Sequence, residues 1–272
     1  MKLSVIYVNY NTQKLLADSL ASLKKNFIAC DYEVIVVDNA SSNFGAQQVK
    51  DIFPRVKIIH SKKNLGFGRA NNLAAQQAEG EYLWLLNTDT VIPPDNNLAS
   101  VLDFLDHHQD YGAASPMLLL ASGQPQATQV GYFPAVYRQI AQKFTISSRF
   151  GMHIVPKSDA DVETMAAAAI FIRKSAFDKV EGFTPEYFMY FEDTDLWQKF
   201  KLDGYKIRFI RAASVIHLES QSIKNKQQLK KMYFASQDIY YRRWKSLPSR
   251  AMLKATRLVI KVKHSTKQET SQ

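Results

Sequence analysis

At 272 residues, 46% of them hydrophobic and 22% charged, the chain is long enough for a large core and too polar to be built of membrane spans. Cys30 is the only cysteine, which excludes a disulfide framework and a cysteine metal cluster and leads us to expect a reducing, cytoplasmic setting. The net charge of +10 is uneven: residues 1–222 hold 22 Lys+Arg against 23 Asp+Glu, whereas residues 223–272 hold 13 against Asp238 and Glu269 alone. Only the tail therefore calls for an anionic partner, and the body is not expected to bind nucleic acid.

The chain opens on Leu3-Ser4-Val5-Ile6-Tyr7-Val8, a buried-strand run that follows Met1-Lys2 directly and leaves no room for a signal peptide. Polar Asn9-Tyr10-Asn11-Thr12 comes next. A helix is predicted after it, with Asn11 or Thr12 as N-cap and Leu15, Leu16, Ser19, Leu20 and Leu23 on one face. Glu33–Val37 reads as the second strand and runs into Asp38-Asn39-Ala40-Ser41-Ser42. A second helix leads to a third strand at Val56–His60. Asn64-Leu65-Gly66-Phe67-Gly68-Arg69-Ala70-Asn71-Asn72 opens a helix through Ala78, and the apolar run Tyr82–Leu86 breaks off into Asn87-Thr88-Asp89-Thr90. This alternation predicts an α/β protein with a doubly wound, mostly parallel sheet.

Ligands of such sheets gather at the carboxyl ends of the strands. Three of these ends carry polar groups: Asn9-Tyr10, Asp38, and Asn87-x-Asp89. Asn87 and Asp89 lie on the same side of the chain, offering two hard oxygen donors that suit Mg²⁺ or Mn²⁺ better than Zn²⁺. The same pair also reads as turn chemistry. Gly66-Phe67-Gly68 is not the dinucleotide fingerprint, because Asn71 stands where a third glycine belongs, and no Walker pattern occurs. Two readings of these glycines stand: a left-handed turn before a helix, or a helix N-terminus that a diphosphate can approach, with Arg69 adding charge.

In order, Val-Ile-Tyr-Val-Asn-Tyr-Asn, Val-Val-Asp-Asn-Ala-Ser-Ser, Asn-Leu-Gly-Phe-Gly-Arg-Ala-Asn-Asn and Leu-Asn-Thr-Asp-Thr resemble family 2 glycosyltransferases of the GT-A fold, in the bacterial rhamnosyltransferase-like branch. The resemblance implies that residues 1–105 bind a nucleotide-sugar donor. It places Asn9 and Tyr10 beside the base, Asp38 on a pyrimidine N–H and Arg69 on the nucleotide. Asn87-Thr88-Asp89 would then take the place of an Asp-x-Asp motif. Asn87 is a departure, since many relatives carry Asp there; its amide oxygen still accepts or ligates but brings no charge.

Residues 95–107 read as a helix with Leu98, Val101, Leu102 and Leu105 inward. From about Gly112 to Ala166 the pattern weakens, and this stretch is read as acceptor-side loops. Ala166–Ile172 reads as a buried strand. Glu192-Asp193-Thr194-Asp195 then sets three carboxylates among aromatics, where repulsion and partial burial raise their pKa values. The alternative is helix N-terminal chemistry, with Asp193 or Thr194 as cap and Asp195 near the dipole. In the family this segment matches the Glu-Asp-x-Asp element, which implies Asp193 as catalytic base and Glu192 and Asp195 on the acceptor side. Glu181-Gly182-Phe183-Thr184-Pro185-Glu186 departs from the usual Gly-Gly-Phe-Asp-Glu. Gly204 to Ile210 reads as turn and strand, reaching Val215-Ile216-His217. A lone His after an apolar pair is commonly a hydrogen-bonded core residue; the resemblance implies instead that His217 joins Asp89 in holding the cation.

Residues 228–244 place Leu229, Met232, Tyr233, Ser236, Ile239, Tyr240 and Trp244 at helical spacing, and Ser236, Tyr240 and Arg243 resemble an element that follows the catalytic core in this branch. Beyond Pro248 a second helix is predicted, with Arg250, Lys254, Arg257 and Lys261 on one face and Met252, Leu253, Val259 and Ile260 largely opposite; from about Ser265 the chain reads as disordered. The expectation is thus a GT-A domain over residues 1–222, with its acceptor half at 106–222, followed by a basic helical region at 223–272. An inverting transfer of rhamnose from dTDP-rhamnose, or of a hexose from a UDP-sugar, to a lipid-linked glycan acceptor is implied, with Mg²⁺ or Mn²⁺ as cofactor. Residues 245–264 would hold the enzyme peripherally on the anionic inner face of the cell membrane. A sugar nucleotidyltransferase and a non-catalytic membrane- or polyanion-binding module are the alternatives.

Overall fold

A computed structural model of the chain describes residues 1–136, 138, 153–219 and 226–257. Its centre is a twisted sheet in the order β3-β2-β1-β4-β11-β6-β12-β5. The first four are β1 (Leu3–Asn9), β2 (Tyr32–Asp38), β3 (Lys57–His60) and β4 (Tyr82–Leu86). They run parallel, with Asn9 opposite Asp38 and Asp38 opposite His60. β11 (Ala169–Arg173) is antiparallel to both its neighbours, β4 and β6 (Tyr111–Leu119), so β6 and its parallel partner β12 (Lys206–His217) return to the direction of β1. The two-residue β5 (Thr90–Val91) pairs antiparallel with the end of β12 and closes the path. β9 (Ala160–Asp161) also pairs with β12, and β7 (Val130–Gly131), β8 (His153–Ile154) and β10 (Thr164–Met165) form a separate small sheet.

Both faces of the large sheet are covered, as continuous apolar strands require. One face buries Leu3, Val5, Tyr7 and Trp84 against α1 (Gln13–Asn26) and α4 (Ala99–His107); Trp84 stacks on Phe171 with centroids 4.5 Å apart. The other buries Ile6, Ile35, Leu83 and Leu85 against α3 (Phe67–Ala75), α5 (Lys174–Lys179) and α6 (Glu192–Leu202). A short α2 (Ala46–Ile52) joins β2 to β3. The inward face predicted for α1 is buried at Leu16, Ser19, Leu20 and Leu23, with Leu15 only partly covered. Thr12 occupies the N-cap without a side-chain capping bond, because its hydroxyl is turned toward Asn9 and Thr88.

The stretch read as loops from Gly112 contains a nine-residue central strand, β6, and that expectation is corrected here. Gly112, Ala113, Ala114, Ser115 and Pro116 carry little β-propensity, so the signal is weak. Small side chains are needed there, since a Cβ on Gly112 would sit 2.6 Å from the Phe200 ring. Pro116 lies at the end of a register run, beside the irregularity between Ile210 and Ser214 of β12, where a missing N–H is tolerated. Gly151 and the rest of 139–152 lie outside the described residues.

After β12 the chain enters α7 (Lys226–Trp244) and a further helix, α8, at 247–257. Tyr240, Tyr241 and Leu253 form a third small core with Val136, Tyr187 and Phe191, so both helices pack on the segment leading into α6. The faces predicted beyond Pro248 are corrected in part. Leu253 is buried, but Met252 is 48% exposed beside Leu247 at 72%, and Arg257 folds back onto Gln237, Asp238 and the ring of Phe234. Val259, Ile260, Lys261 and the end read as disordered lie outside the described residues.

Candidate active site

The carboxyl ends of β1, β2 and β4 meet in one hydrogen-bonded rim. Asn9 is buried; its Nδ2 donates to Ser41 Oγ (3.0 Å) and its Oδ1 accepts from Thr12 Oγ1 (2.9 Å), which stands 2.9 Å from Thr88 Oγ1. Asp38 is likewise buried; its Oδ1 accepts from the Ser41 amide (3.1 Å) and its Oδ2 lies 3.5 Å from His60 Nδ1. Tyr10 stands just outside this rim, 40% exposed. Asn39, which the sequence reading passed over, ties the rim to the next loop: its Oδ1 accepts from the Leu65 amide and its Nδ2 donates to the Gly66 carbonyl.

Gly66 has φ +81° with extended ψ, a region open to glycine alone. The close approach that it permits is by protein. A Cβ there would strike the Phe188 carbonyl, which accepts from the Phe67 amide at 3.1 Å, and a Cβ on Gly68 would lie 2.9 Å from Phe183 Cβ. Arg69 Nε donates to the Pro185 carbonyl. Both glycines are thus needed for packing, and they join the start of α3 to residues 183–188.

Past β4, the Asn87 amide donates to the Ala168 carbonyl (2.8 Å), and Asn87 O accepts from Thr90 Oγ1 (2.7 Å). Asn87 is partly exposed, while Asp89 is buried. The pairing of His217 with Thr90 at the end of β12 brings His217 Nε2 to 3.3 Å from Asp89 Oδ1, and the Leu218 amide donates to the Asp89 carbonyl. The other ring nitrogen of His217 lies 2.9 Å from Oε1 of buried Gln126, an amide oxygen that can only accept, so Nδ1 carries the hydrogen and Nε2 faces the carboxylate. Sequence reasoning missed Gln126, which lies in the stretch of weak pattern.

Two ligands at right angles on an ion with ~2.1 Å bonds stand roughly 3.0 Å apart, so the Asp89–His217 spacing fits a pair of neighbouring ligands. No cluster of three His, Cys, Asp or Glu ligands occurs among the described residues. A divalent ion held here would take its remaining ligands from diphosphate oxygens and water, as Mg²⁺ and Mn²⁺ do in phosphate sites.

The acidic element starts α6. Its N-cap is neither Asp193 nor Thr194 but Phe191, which is left-handed (φ 65°) after an equally left-handed Tyr190 (φ 69°). Two such non-glycine residues in succession cost roughly 1–3 kcal/mol each and persist only where the surrounding structure imposes them. Burial, then the charge of Asp193, pushes Glu192 up to about 8; among the described residues its buried Oε2 has no hydrogen-bond partner. Burial also raises Asp193, but donors oppose it: the Thr194 amide (2.6 Å) and hydroxyl (3.2 Å) on Oδ1, and the Ala167 N–H. The two carboxyls differ in their partners: Asp193 has donors on Oδ1, and Glu192 Oε2 has none among the described residues. Asp193 on the Ala167 N–H and Asn87 on the Ala168 carbonyl place the acidic pair and the β4 turn on two adjacent residues.

Asp195 sits differently from its predicted place toward the acceptor. It is fully buried and accepts from Thr184 Oγ1 (2.5 Å), Tyr187 Oη (3.1 Å), Arg243 Nε (3.2 Å) and Trp244 Nε1 (2.6 Å).

Comparison with known proteins agrees with this geometry. A family model described as glycosyl transferase family 2 matches residues 4–152. An N-acetylglucosaminyl-diphospho-decaprenol L-rhamnosyltransferase of Mycobacterium tuberculosis is 28% identical over 240 residues, covering 81% of this chain and 77% of that protein. Rhamnosyltransferase WbbL of Escherichia coli is 28% identical over 218 residues, 74% and 78% of the two chains. Among solved structures, S. aureus TarS 1-349 in complex with UDP superposes with a TM-score of 0.59 at 22% identity, over 89% of this chain and 72% of that one. GalNAc-T7 with UDP, GalNAc and Mn²⁺ gives 0.63 at 15% identity, over 89% and 50%. These two share the GT-A fold. The chain is a glycosyltransferase and belongs to glycosyl transferase family 2.

Proposed function

We propose that the enzyme is an inverting rhamnosyltransferase that uses dTDP-rhamnose and transfers the sugar to a hydroxyl of a lipid-linked glycan precursor of the cell surface. The observation that carries this reading is Asp193, a carboxyl held by the Thr194 amide and hydroxyl beside Glu192, whose own carboxyl burial pushes up to about 8. Asp193 takes the proton of the acceptor hydroxyl, whose oxygen attacks the anomeric carbon on the face opposite the departing diphosphate. Asn9 and Tyr10 flank the base, Asp38 accepts from a pyrimidine N–H, and Asn87 accepts from donor hydroxyls. Gly66 and Arg69 act on the nucleotide indirectly, by fixing the 183–188 segment beside it. The names of the two rhamnosyltransferase relatives support the donor sugar and the lipid diphosphate acceptor.

Asp89 and His217 would hold a divalent cation, with Mn²⁺ suited by the imidazole donor. Bound there, such an ion would supply charge neutralisation to the diphosphate beside the Asp89 carboxylate. A UDP-hexose is the second donor reading, favoured by S. aureus TarS, named as an N-acetylglucosaminyltransferase and 35% identical over 115 residues, 40% of this chain and 20% of that protein. Membership of an enzyme family leaves no place for the nucleotidyltransferase and binding-module alternatives. No helix among the described residues is long and apolar enough to cross a membrane. We assign residues 245–264, of which 258–264 lie outside the described residues, to peripheral contact with the anionic inner face of the cell membrane.

The test is donor turnover by purified wild-type and Asp193→Asn protein, with dTDP-rhamnose and UDP-hexoses each offered alongside a lipid-diphosphate acceptor. Rhamnose transfer that disappears in the variant supports the reading. Equal rates in both proteins overturn it.

A further inference from the structure

The strained turn that launches the catalytic helix is held from outside the catalytic half. Tyr190 and Phe191 are consecutive left-handed residues directly before Glu192 and Asp193, and such a backbone persists only where its surroundings impose it. Those surroundings come from α7. Ser236 Oγ donates to the Met189 carbonyl (2.7 Å), and the Tyr233 ring packs on Tyr190 and Phe191 with centroids 5.8 and 5.2 Å apart. Two residues past Asp193, the end of α7 grips Asp195 through Arg243 Nε and Trp244 Nε1. α7 thus clamps the chain on both sides of the acidic pair. The clamped segment reaches the donor half as well, through the Phe188 carbonyl on the Phe67 amide.

We propose that α7 is a positioning element of the active site, and that Asp195 is the positioning residue through which its C-terminal end fixes Asp193. Asp195 cannot meet an acceptor directly, because it is fully buried and both its oxygens are taken by protein donors. Its contribution is orientation. The inference rests on Asp193 as the base, since a shift of the α6 start matters to rate only if the reacting group stands on it.

The experiment compares full-length wild type with Arg243→Met, Trp244→Phe, Tyr233→Ala and Tyr233→Phe. Hydrogen exchange of peptides covering 184–195 is measured alongside kcat and KM for the nucleotide sugar. A misplaced base lowers kcat by roughly 10–100-fold. That loss, with the donor KM within about twofold, is expected for Arg243→Met, Trp244→Phe and Tyr233→Ala. Exchange should quicken over 184–195 and not across the central sheet, and Tyr233→Phe, which keeps the ring, should retain the wild-type values. Unchanged exchange at 184–195, or exchange that quickens equally throughout the sheet, overturns the proposal. Exchange is read without substrate, so a loosened 184–195 segment with full activity in Asp193→Asn would refute the base and leave the clamp standing.

Discussion

His217 Nε2 stands 3.3 Å from Asp89 Oδ1, one at the end of β12 and the other just past β4, brought together by the short β5–β12 pairing and the Leu218 amide on the Asp89 carbonyl. Gln126 on the far ring nitrogen fixes which face of the imidazole meets the carboxylate. Removing such an outer partner typically weakens metal binding about 10–100-fold. Gln126→Ala should do so for Mn²⁺ in the presence of UDP or dTDP, measured by calorimetry, while Asp89→Ala and His217→Ala should lose binding further. A chelator should stop sugar transfer by the wild type, and added Mn²⁺ should restore it.

Asp193→Asn keeps the shape of the side chain but cannot accept a proton. The expected loss in kcat is about 10²–10⁴-fold, the usual contribution of a positioned base. KM for the nucleotide sugar should stay near the wild-type value, because the proposed role of Asp193 is toward the acceptor hydroxyl and not the nucleotide. Steady-state rates at saturating acceptor provide the check.

Glu192 titrates near 4.5 when exposed and about 8 in the fold. Between these values the folded protein binds the proton that the unfolded chain has released. Folding stability from this group is therefore fully present at low pH and falls as pH rises through the window. The slope reaches about 1.4 kcal/mol per pH unit for one proton. Glu192→Gln should flatten it, seen as a smaller decline in Tm from pH 5 to pH 8 than in the wild type.

Gly66→Ala combines a forbidden φ with a collision between Cβ and the Phe188 carbonyl. A destabilisation of about 2 kcal/mol or more is expected, since backbone strain and displacement of the 183–188 segment act together. Urea denaturation measures it. Gly123, also at positive φ but with open space around it, should lose less on the same substitution.

Lys254 is exposed on α8 beside Ala251 and Ala255, with Met252 and Leu247 exposed nearby, and Arg250 lies one turn before it. Each basic residue near an anionic surface contributes about 1 kcal/mol. Arg250→Ala with Lys254→Ala should therefore weaken partitioning onto phosphatidylglycerol vesicles roughly 30-fold. Co-sedimentation at low and high salt measures this, and transfer to a soluble acceptor analogue should be unaffected.

Much of this protein is written in local sequence. Short uninterrupted apolar runs bounded by polar residues, such as Tyr82–Leu86, read as strands buried on both faces, and their abrupt polar ends point to the edge of the sheet where ligands gather, because those are one-dimensional signals. The proposed roles of Asp38, Asp89 and Asp193 rest on local motifs of the same kind. β6 was not, because a strand made of Gly, Ala, Ser and Pro is chosen by the space beside Phe200 and β11 rather than by propensity. The glycines of 66–68 showed that something must come close, but only packing decided that it is Phe188 and Phe183. Asp195 looked identical in sequence to its acidic neighbours; burial and four donors from two distant segments separate it from Asp193. Sequence fixes which side chains carry charge and where strands stop. Which carboxylate is buried with both oxygens bonded, as Asp195 is, depends on donors such as Arg243 and Trp244 that arrive from far along the chain, and only the tertiary structure supplies those.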